Sequence, residues 1–233
     1  ITCLKLYAEN NYNYSTDVWA DGCKLKTPFC NSAFKPTCNC AYLSLENAHI
    51  PTLPENIGRD MNALRKVEIL NCNLTRLPSN IKHLKSLVLL DLSYNKIVEF
   101  NVDVQQWKYL IFLSLQFNNI KNKYNAAAIW RHPRLVTLLL NSNSNMLITN
   151  KINIYMPMLR RLYLQNNSII FPNKFGRDQF PALLWLFVSG NNLQKFPENF
   201  DSLNDQLLHL YIARCKINTL TPSYLSKFKK LVY

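Results

Sequence analysis

From its sequence, this chain should fold as an α/β solenoid with a curved parallel β-sheet on its concave face. Short helical or irregular segments should form the convex face. One observation behind this prediction is a run of leucines and an asparagine that recurs every 23 to 25 residues from about residue 40 onward. A second is the apolar-Pro pair that follows the run in several units, as in Leu77-Pro78. A fixed period of this length indicates stacked repeats, each burying its apolar side against its neighbours.

The clearest unit spans residues 87–100, where Leu87, Leu90 and Leu92 precede Asn95. This L-x-x-L-x-L-x-x-N pattern predicts a short strand whose second and third leucines point inward, since alternate side chains of a strand face opposite sides. The Asn amide should satisfy backbone groups of the turn that follows. The first position recurs in eight repeats and the start of a ninth, at Cys40, Leu64, Leu87, Leu110, Leu135, Leu159, Leu183, Leu207 and Leu231.

Two regions differ in composition. Residues 1–40 are rich in cysteine and lack the leucine period, so we assign them to an N-terminal cap over the exposed end of the array at 41–233. Disulfides commonly stabilise such a small segment in an oxidising compartment. A zinc site is the alternative, but the segment has no C-x2-C pair and no histidine, so no metal is expected. The predicted disulfide residues are Cys23, Cys30, Cys38 and Cys40.

Four cysteines allow three pairings, and Cys3 makes the number in the cap odd. We favour Cys23–Cys38 with Cys30–Cys40, while the other pairings stay open. Two further cysteines, Cys72 and Cys215, stand where other units have the interior asparagine. We expect both to be buried, unpaired thiols with a structural role, because this position faces inward.

The ends of the sequence suggest a piece of a longer protein. The chain starts at Ile1, and Leu231 opens a ninth unit without a second cysteine cluster behind it. We therefore expect the natural protein to continue beyond Tyr233, where a C-terminal cap is missing. No apolar run approaches the roughly 18 residues of a membrane helix, so membrane attachment is expected only through segments absent from this chain.

The strand pattern also predicts which side chains line the concave face. Large aromatic residues fall side by side in the later units, whereas the earlier units are mixed and charged. Trp, Tyr and Arg dominate binding energies at interfaces, which favours ligand binding here. Mutual packing of the aromatic rings across strands and sugar stacking on Trp185 or Tyr211 are the alternatives. The predicted binding residues are Phe112, Leu139, Arg161, Tyr163, Trp185, Phe187, His209 and Tyr211, with Arg161 and His209 at the edge.

The net charge of +13 is spread over the repeats, and no run of Lys and Arg is longer than two residues. A nucleic-acid-binding protein usually concentrates its basic residues, so a polyanionic glycan or an acidic protein fits better. Catalysis has no support, because the sequence lacks H-E-x-x-H, G-x-S-x-G and P-loop motifs. No cofactor is expected. The four histidines lie in different units, at His49, His83, His132 and His209.

Three N-x-S/T sequons are present, at Asn13, Asn73 and Asn166. The repeat register leaves Asn73 and Asn166 outside the packed leucine positions. Together with the cysteine-rich cap, these sequons predict an extracellular or cell-surface glycoprotein made in the secretory pathway.

The segment from Cys23 to Cys40 and the repeats behind it resemble the extracellular leucine-rich repeat family with an N-terminal cysteine cap. The phrases Thr27-Pro28-Phe29-Cys30 and Pro36-Thr37-Cys38-Asn39-Cys40 are similar to the flanks of receptor-type or secreted proteins of microbial eukaryotes. The plant-type Leu-x-Gly-x-Ile-Pro line is missing. This resemblance implies a leucine-rich repeat solenoid that recognises protein or glycan ligands, in adhesion or as a receptor ectodomain.

Two other functions stay open at this stage. The chain could be a structural subunit that self-assembles into an extracellular polymer or sheath. It could also be an intracellular scaffold, in which case the cap cysteines would be reduced and the sequons bare.

Overall fold

A computed structural model describes residues 41–121, 129–143, 148, 152–169, 171, 175–219 and 222–232. The predicted cap at 1–40 lies outside the described residues. So do the disulfide residues Cys23, Cys30, Cys38 and Cys40 and the sequon at Asn13.

The repeats form one parallel sheet of eight strands, arranged in the order of the sequence. Each strand pairs with the equivalent residues of the next unit, as Leu90 does with Leu113. This arrangement confirms the predicted solenoid and its repeat register. The strands are β1 Tyr42–Glu46, β2 Lys66–Leu70, β3 Leu89–Asp91, β4 Phe112–Ser114, β5 Thr137–Leu139, β6 Arg161–Tyr163, β7 Trp185–Phe187 and β8 His209–Tyr211.

The core lies behind the sheet and runs the length of the array. Leu90 and Leu92, the second and third leucines of their unit, are fully buried, as the sequence predicted. The described convex side includes two short α-helices, α1 (Ile57–Asp60) and α2 (Pro222–Leu225). It also includes 3-10 helices at Ser79–His83, Val104–Gln106 and Glu198–Leu203. Two of these 3-10 helices directly follow the apolar-Pro pairs Leu77-Pro78 and Phe196-Pro197, and they match the short helical segments expected on the convex face.

The interior asparagines link each unit to the one before it. Asn95 Oδ1 accepts hydrogen bonds from the backbone N–H groups of Cys72 and Leu74, both at 3.0 Å. Its Nδ2 donates to the carbonyl oxygens of Ile69 at 2.7 Å and Leu92 at 3.0 Å. The amide therefore satisfies buried backbone groups of two units, as predicted. Equivalent side chains occur at Asn118, Asn143, Asn167 and Asn191.

Cys72 and Cys215 are buried free thiols, as expected. The Sγ atoms donate to backbone carbonyl oxygens of the preceding units, Cys72 to Leu45 at 3.4 Å and Cys215 to Val188 at 3.3 Å. Burial raises the pKa of both thiols, because an interior site disfavours the thiolate. The thiols therefore replace the donor function of the asparagine amide.

In these two units, a backbone carbonyl oxygen takes the place of the asparagine Oδ1 as the hydrogen-bond acceptor. The cysteine carbonyl oxygens accept the N–H groups of Ile50 at 2.8 Å and Leu193 at 3.0 Å. The next residue has a positive φ in both units, +57° at Asn73 and +52° at Lys216. This left-handed turn directs the cysteine carbonyl toward the preceding unit, so both backbone groups stay paired.

A left-handed residue also precedes the interior position of each strand-bearing unit, which holds Asn or Cys except for Ala48 in the first unit. Its φ lies between +52° and +74° throughout the array, which turns the chain away from the strand. Glycine occurs there once, at Gly190, where an added Cβ would meet Asn166 Oδ1 at 2.2 Å. The residues at this turn position are Asn47, Asn71, Tyr94, Phe117, Ser142, Asn166, Gly190 and Arg214.

Candidate ligand-binding surface

The strand register brings the predicted binding residues together on one face of the sheet. Arg161, Trp185 and His209 are consecutive partners in one column of the ladder. Tyr163, Phe187 and Tyr211 are consecutive partners in the other. We call these six residues the aromatic surface. Phe112 lies two units before Arg161 in the first of these columns, and Leu139 lies one unit before Tyr163 in the other; both are half-buried.

The column of Tyr163, Phe187 and Tyr211 is a continuous stack of rings. The ring centroids of Tyr163 and Phe187 are 4.2 Å apart and their planes differ by 7°. Phe187 and Tyr211 follow at 4.4 Å and 12°. Phe187 is thus covered by a ring on each face, and only Tyr163 and Tyr211 have a face outside the stack.

In the column of Arg161, Trp185 and His209, the side chains pack around Trp185. The His209 ring lies 3.7 Å from the Trp185 ring with an interplanar angle of 23°. The Arg161 guanidinium approaches the same indole at 5.8 Å. Trp185 also lies 6.2 Å from Phe187, which joins the two columns. The sequence placed His209 at the edge of the group, whereas its ring is stacked on the central indole.

The aromatic surface is only partly exposed. Tyr211 is 37% exposed and the Arg161 side chain is exposed, while the other four members are half-buried. The surface therefore combines two properties: the rings stabilise one another across strands, and their edges remain accessible from the concave side.

The first half of the concave face, formed by β1 to β4, has a different chemistry that is centred on Glu68. Lys66 Nζ lies 2.9 Å from Glu68 Oε1, and Tyr42 Oη donates a hydrogen bond to the same carboxylate. Lys66 also lies 4.6 Å from the centre of the Tyr42 ring. The hydrogen bond and charge of Glu68 raise the pKa of Lys66.

A second set of polar contacts continues this pattern in the next two units. The backbone N–H of Ser93 donates to Asp91 Oδ1 at 2.9 Å, and the Ser93 and Ser114 hydroxyls are 2.6 Å apart. We call Tyr42, Lys66, Glu68, Asp91, Ser93 and Ser114 the polar cluster. Its acidic groups are satisfied within the protein.

The exposure of a strand side chain does not follow from its position alone. Ser44 and Ser114 fall between inward leucines, yet they are only 7% and 0% exposed. Their side chains are small enough for their neighbours to cover them. The alternation of strand positions gives the direction of a side chain, but its exposure also depends on the size of the residues around it.

An exposed aromatic pair that the sequence reasoning missed lies where the strands end. Tyr94 and Phe117 are 53% and 39% exposed, and their rings stack at 4.4 Å with an interplanar angle of 7°. Both occupy the left-handed turn position directly before an interior asparagine. This shared position could have predicted the contact between the two rings, because equivalent residues of adjacent units lie side by side.

The two described sequons lie outside the leucine positions, as predicted. Asn166 is exposed, and Asn73 is half-buried with its Nδ2 3.5 Å from His49 Nδ1. Among the described residues, no group of three or more His, Cys, Asp or Glu side chains is arranged to hold a metal ion. No helix within the described ranges is long and apolar enough to cross a membrane.

Comparison with known proteins identifies the fold. No family model and no curated protein sequence matches the chain. Among solved structures, it is similar to a leucine-rich repeat protein of Leptospira interrogans, with 22% identity and a TM-score of 0.60. It is also similar to TLR13 in complex with ssRNA13, with 24% identity and a TM-score of 0.62. A third similar structure is PEPR1–AtPEP1, with 21% identity and a TM-score of 0.57.

These similarities cover 81%, 82% and 84% of this chain, respectively. They cover 52%, 27% and 35% of the three solved chains, so this chain spans only part of the length of each. The chain therefore has the leucine-rich repeat fold.

Proposed function

We propose that this chain is a non-enzymatic, extracellular recognition module that binds a protein ligand through the aromatic surface, as part of a larger receptor-like or adhesive protein. The observation that carries this proposal is the pair of adjoining ring stacks on the concave face, with Trp185 at their centre. Trp, Tyr and Arg are the residue types that contribute most to binding energy at protein interfaces.

The rigidity of the stacks supports the same function. Each ring is held by a neighbour on at least one face, so little side-chain freedom remains to be lost when a ligand binds. Mutual packing and ligand binding are thus compatible properties of these residues. They are separated experimentally by measuring folding and binding in the same variant.

The test of the binding surface is a screen of secreted and cell-surface proteins with the 233-residue chain, followed by affinity measurements on any partner. The double variant Trp185→Ala/Tyr211→Ala should weaken binding by about a hundredfold, the sum of two interface anchors. Circular dichroism should show that the variant is folded.

The matched control is Tyr109→Ala/Tyr155→Ala, which removes two tyrosines that are 57% and 54% exposed and lie outside the strands. This control should bind like the unchanged protein. Equal affinity of the Trp185/Tyr211 variant and the unchanged protein for the partner would refute the proposed surface.

The extracellular part of the proposal is supported by the cysteine-rich segment and by the exposed position of Asn166. Its test is non-reducing peptide mapping of the natural protein by mass spectrometry, with and without a glycosidase. We expect disulfide-linked peptides around Cys23, Cys30, Cys38 and Cys40, and a glycan on Asn73 or Asn166. Free thiols and unmodified asparagines would instead support an intracellular scaffold.

A further inference from the structure

We infer that the ligand of the aromatic surface is an acidic protein segment, whose carboxylates contact ring edges, phenolic hydroxyls and guanidinium groups. This inference rests on the proposed function and adds the chemical class of the ligand. Three observations carry it: the covered ring faces, the donors on the concave side, and the absence of acidic residues from the second half of the face.

The first observation concerns the ring faces. Both faces of Phe187 are covered, by Tyr163 at 4.2 Å and Tyr211 at 4.4 Å. Trp185 is covered by His209 at 3.7 Å and approached by Arg161 at 5.8 Å. Nucleic-acid bases bind single-strand platforms by stacking on free ring faces, and sugars pack against such faces through their C–H groups. Phe187 has no such face to offer, both faces of Trp185 have a neighbour, and only the outer faces of Tyr163 and Tyr211 remain, which disfavours both ligands.

The second observation concerns what the stacks do expose. The edge of an aromatic ring carries partial positive charge and attracts oxygen atoms that approach in the ring plane. Tyr163 and Tyr211 add hydroxyl donors, and Trp185 adds an indole N–H. None of these three groups donates a hydrogen bond to another described residue. The concave side thus presents hydrogen-bond donors and positive ring edges, which match carboxylate oxygens.

The third observation is the distribution of charge. The outward strand positions, the turn positions and the residues directly before the strands of the last four strand-bearing units contain three arginines and one histidine but no Asp or Glu. All three arginines are exposed, and no ion pair within the described ranges includes them. A positive field without internal partners favours and steers a negatively charged ligand. The arginines are Arg160, Arg161 and Arg214.

The first half of the concave face shows why this charge is specific to the second half. It contains Glu46, Glu68 and Asp91 among its outward positions. Lys66 is paired there with Glu68 at 2.9 Å, so its charge is already matched within the protein. An acidic ligand would meet repulsion in the first half and attraction in the second. The charge pattern therefore limits the ligand to the aromatic surface and its flanks.

The test uses fluorescence anisotropy with the full chain and a labelled decaglutamate peptide as the probe. We expect decaglutamate to bind more tightly than decaglutamine, and more tightly than a ten-nucleotide polyadenylate or a heparin decasaccharide. Arg160→Gln/Arg161→Gln should weaken decaglutamate binding about tenfold, because it removes the unpaired charge of Arg161 over Trp185 and that of the adjacent Arg160. Tyr163→Phe/Tyr211→Phe, which keeps the stack and removes the hydroxyls, should weaken it about threefold.

The control variant is Arg131→Gln/Arg134→Gln, which removes the same charge from two exposed arginines outside the strands. It should change decaglutamate affinity less than twofold. Three results would overturn the inference: an equal loss in both arginine variants, tighter binding of polyadenylate or heparin, or decaglutamate binding no stronger than decaglutamine binding.

The design separates this inference from the proposed function. A natural partner could lose affinity in Trp185→Ala/Tyr211→Ala and remain unaffected by Arg160→Gln/Arg161→Gln. That result would keep the aromatic surface as the binding site and reject an acidic ligand. Loss of affinity in neither variant would reject both.

Discussion

The two halves of the concave face share one backbone and one register but differ in how their side chains are satisfied. In the polar cluster, Glu68 accepts from Tyr42 and pairs with Lys66, and Asp91 accepts from Ser93. In the aromatic surface, the rings pack on one another while Arg161 has no ion pair within the described residues. One half satisfies its charges internally, and the other keeps them available for a ligand.

This difference shows where a repeat solenoid encodes its function. The leucines and interior asparagines are interchangeable between units, since they form the same contacts along the array. The outward strand positions are free to vary, because changing them leaves the core intact. Specificity therefore resides in the variable positions of a few adjacent units, and stability resides in the repeated ones.

The largest expected effect comes from breaking the junction between the halves at Asn143. Its Nδ2 donates to Leu115 O and Leu140 O, both at 3.0 Å, and its Oδ1 accepts from the N–H of Ile120 at 3.0 Å. Asn143→Ala should cost about 3 kcal/mol, because it leaves these buried backbone groups unpaired. Urea denaturation followed by tryptophan fluorescence should show a lower midpoint and a shallower slope, as the halves begin to unfold separately.

The matched control for this junction is Asn141→Ala, two residues earlier and half-buried. It should change the free energy of unfolding by less than about 0.5 kcal/mol. If Asn143→Ala unfolded at the same urea concentration as the unchanged protein, the junction would have no special role in coupling the halves.

An intermediate effect is expected from the two buried thiols, one in each half. Burial raises the pKa of Cys72 and of Cys215, so alkylation by iodoacetamide at pH 8 should require local opening. Cys215 is 3% exposed and lies in the unit of the last strand, whereas Cys72 is fully buried further inside the array. Cys215 should react about fivefold faster, which corresponds to about 1 kcal/mol in opening free energy.

Mass spectrometry of the labelled peptides would measure both rates in one sample. Because each folded pKa is raised, the protonated thiols favour the folded state below their ordinary pKa, and this contribution is lost as the pH rises through the folded pKa. Faster labelling of Cys72 would show that the polar half opens first and would reverse the predicted order.

The smallest expected effect concerns the ion pair of the polar cluster. Lys66→Met should cost less than about 0.5 kcal/mol, because the Lys66 side chain is 42% exposed and such pairs are screened by solvent. The pKa of Lys66 is raised by Glu68, so the contribution of the pair is present below pH 10.5 and is lost as the pH rises above that value.

Urea midpoints at low salt and in 1 M NaCl would test this prediction. The small difference between Lys66→Met and the unchanged protein should disappear in high salt. A loss of 2 kcal/mol or more that persists in high salt would contradict the description of this pair as a surface contact.

The sequence was sufficient to predict the sheet, its register and the residues that share its concave face. Leucine spacing determines which strand side chains face the core, so Leu90 and Leu92 were correctly expected to be buried. It was also sufficient for the asparagine contacts, because a buried amide between two turns has few other partners. Local sequence did not give strand length, which is five residues in β1 and β2 and three in the others.

Other features depend on contacts between units. The stacking of His209 on Trp185 depends on side-chain torsions, which the spacing of residues does not determine. The burial of Ser114 depends on the size of its neighbours. The left-handed φ at Asn73 follows from the loss of an asparagine acceptor at Cys72, which becomes evident only when both units are compared in space.

The spacing of the rings has a mechanical consequence. The rings of Tyr163, Phe187 and Tyr211 lie 4.2 and 4.4 Å apart, whereas neighbouring strands are about 4.8 Å apart. Rings that are closer together than their strands lie on the inside of a bend. Straightening the array would pull the rings apart and lose their contact, so the stack resists extension. Tension applied along the array should stretch the polar half before the aromatic half, and the stiffer end would keep its shape under load.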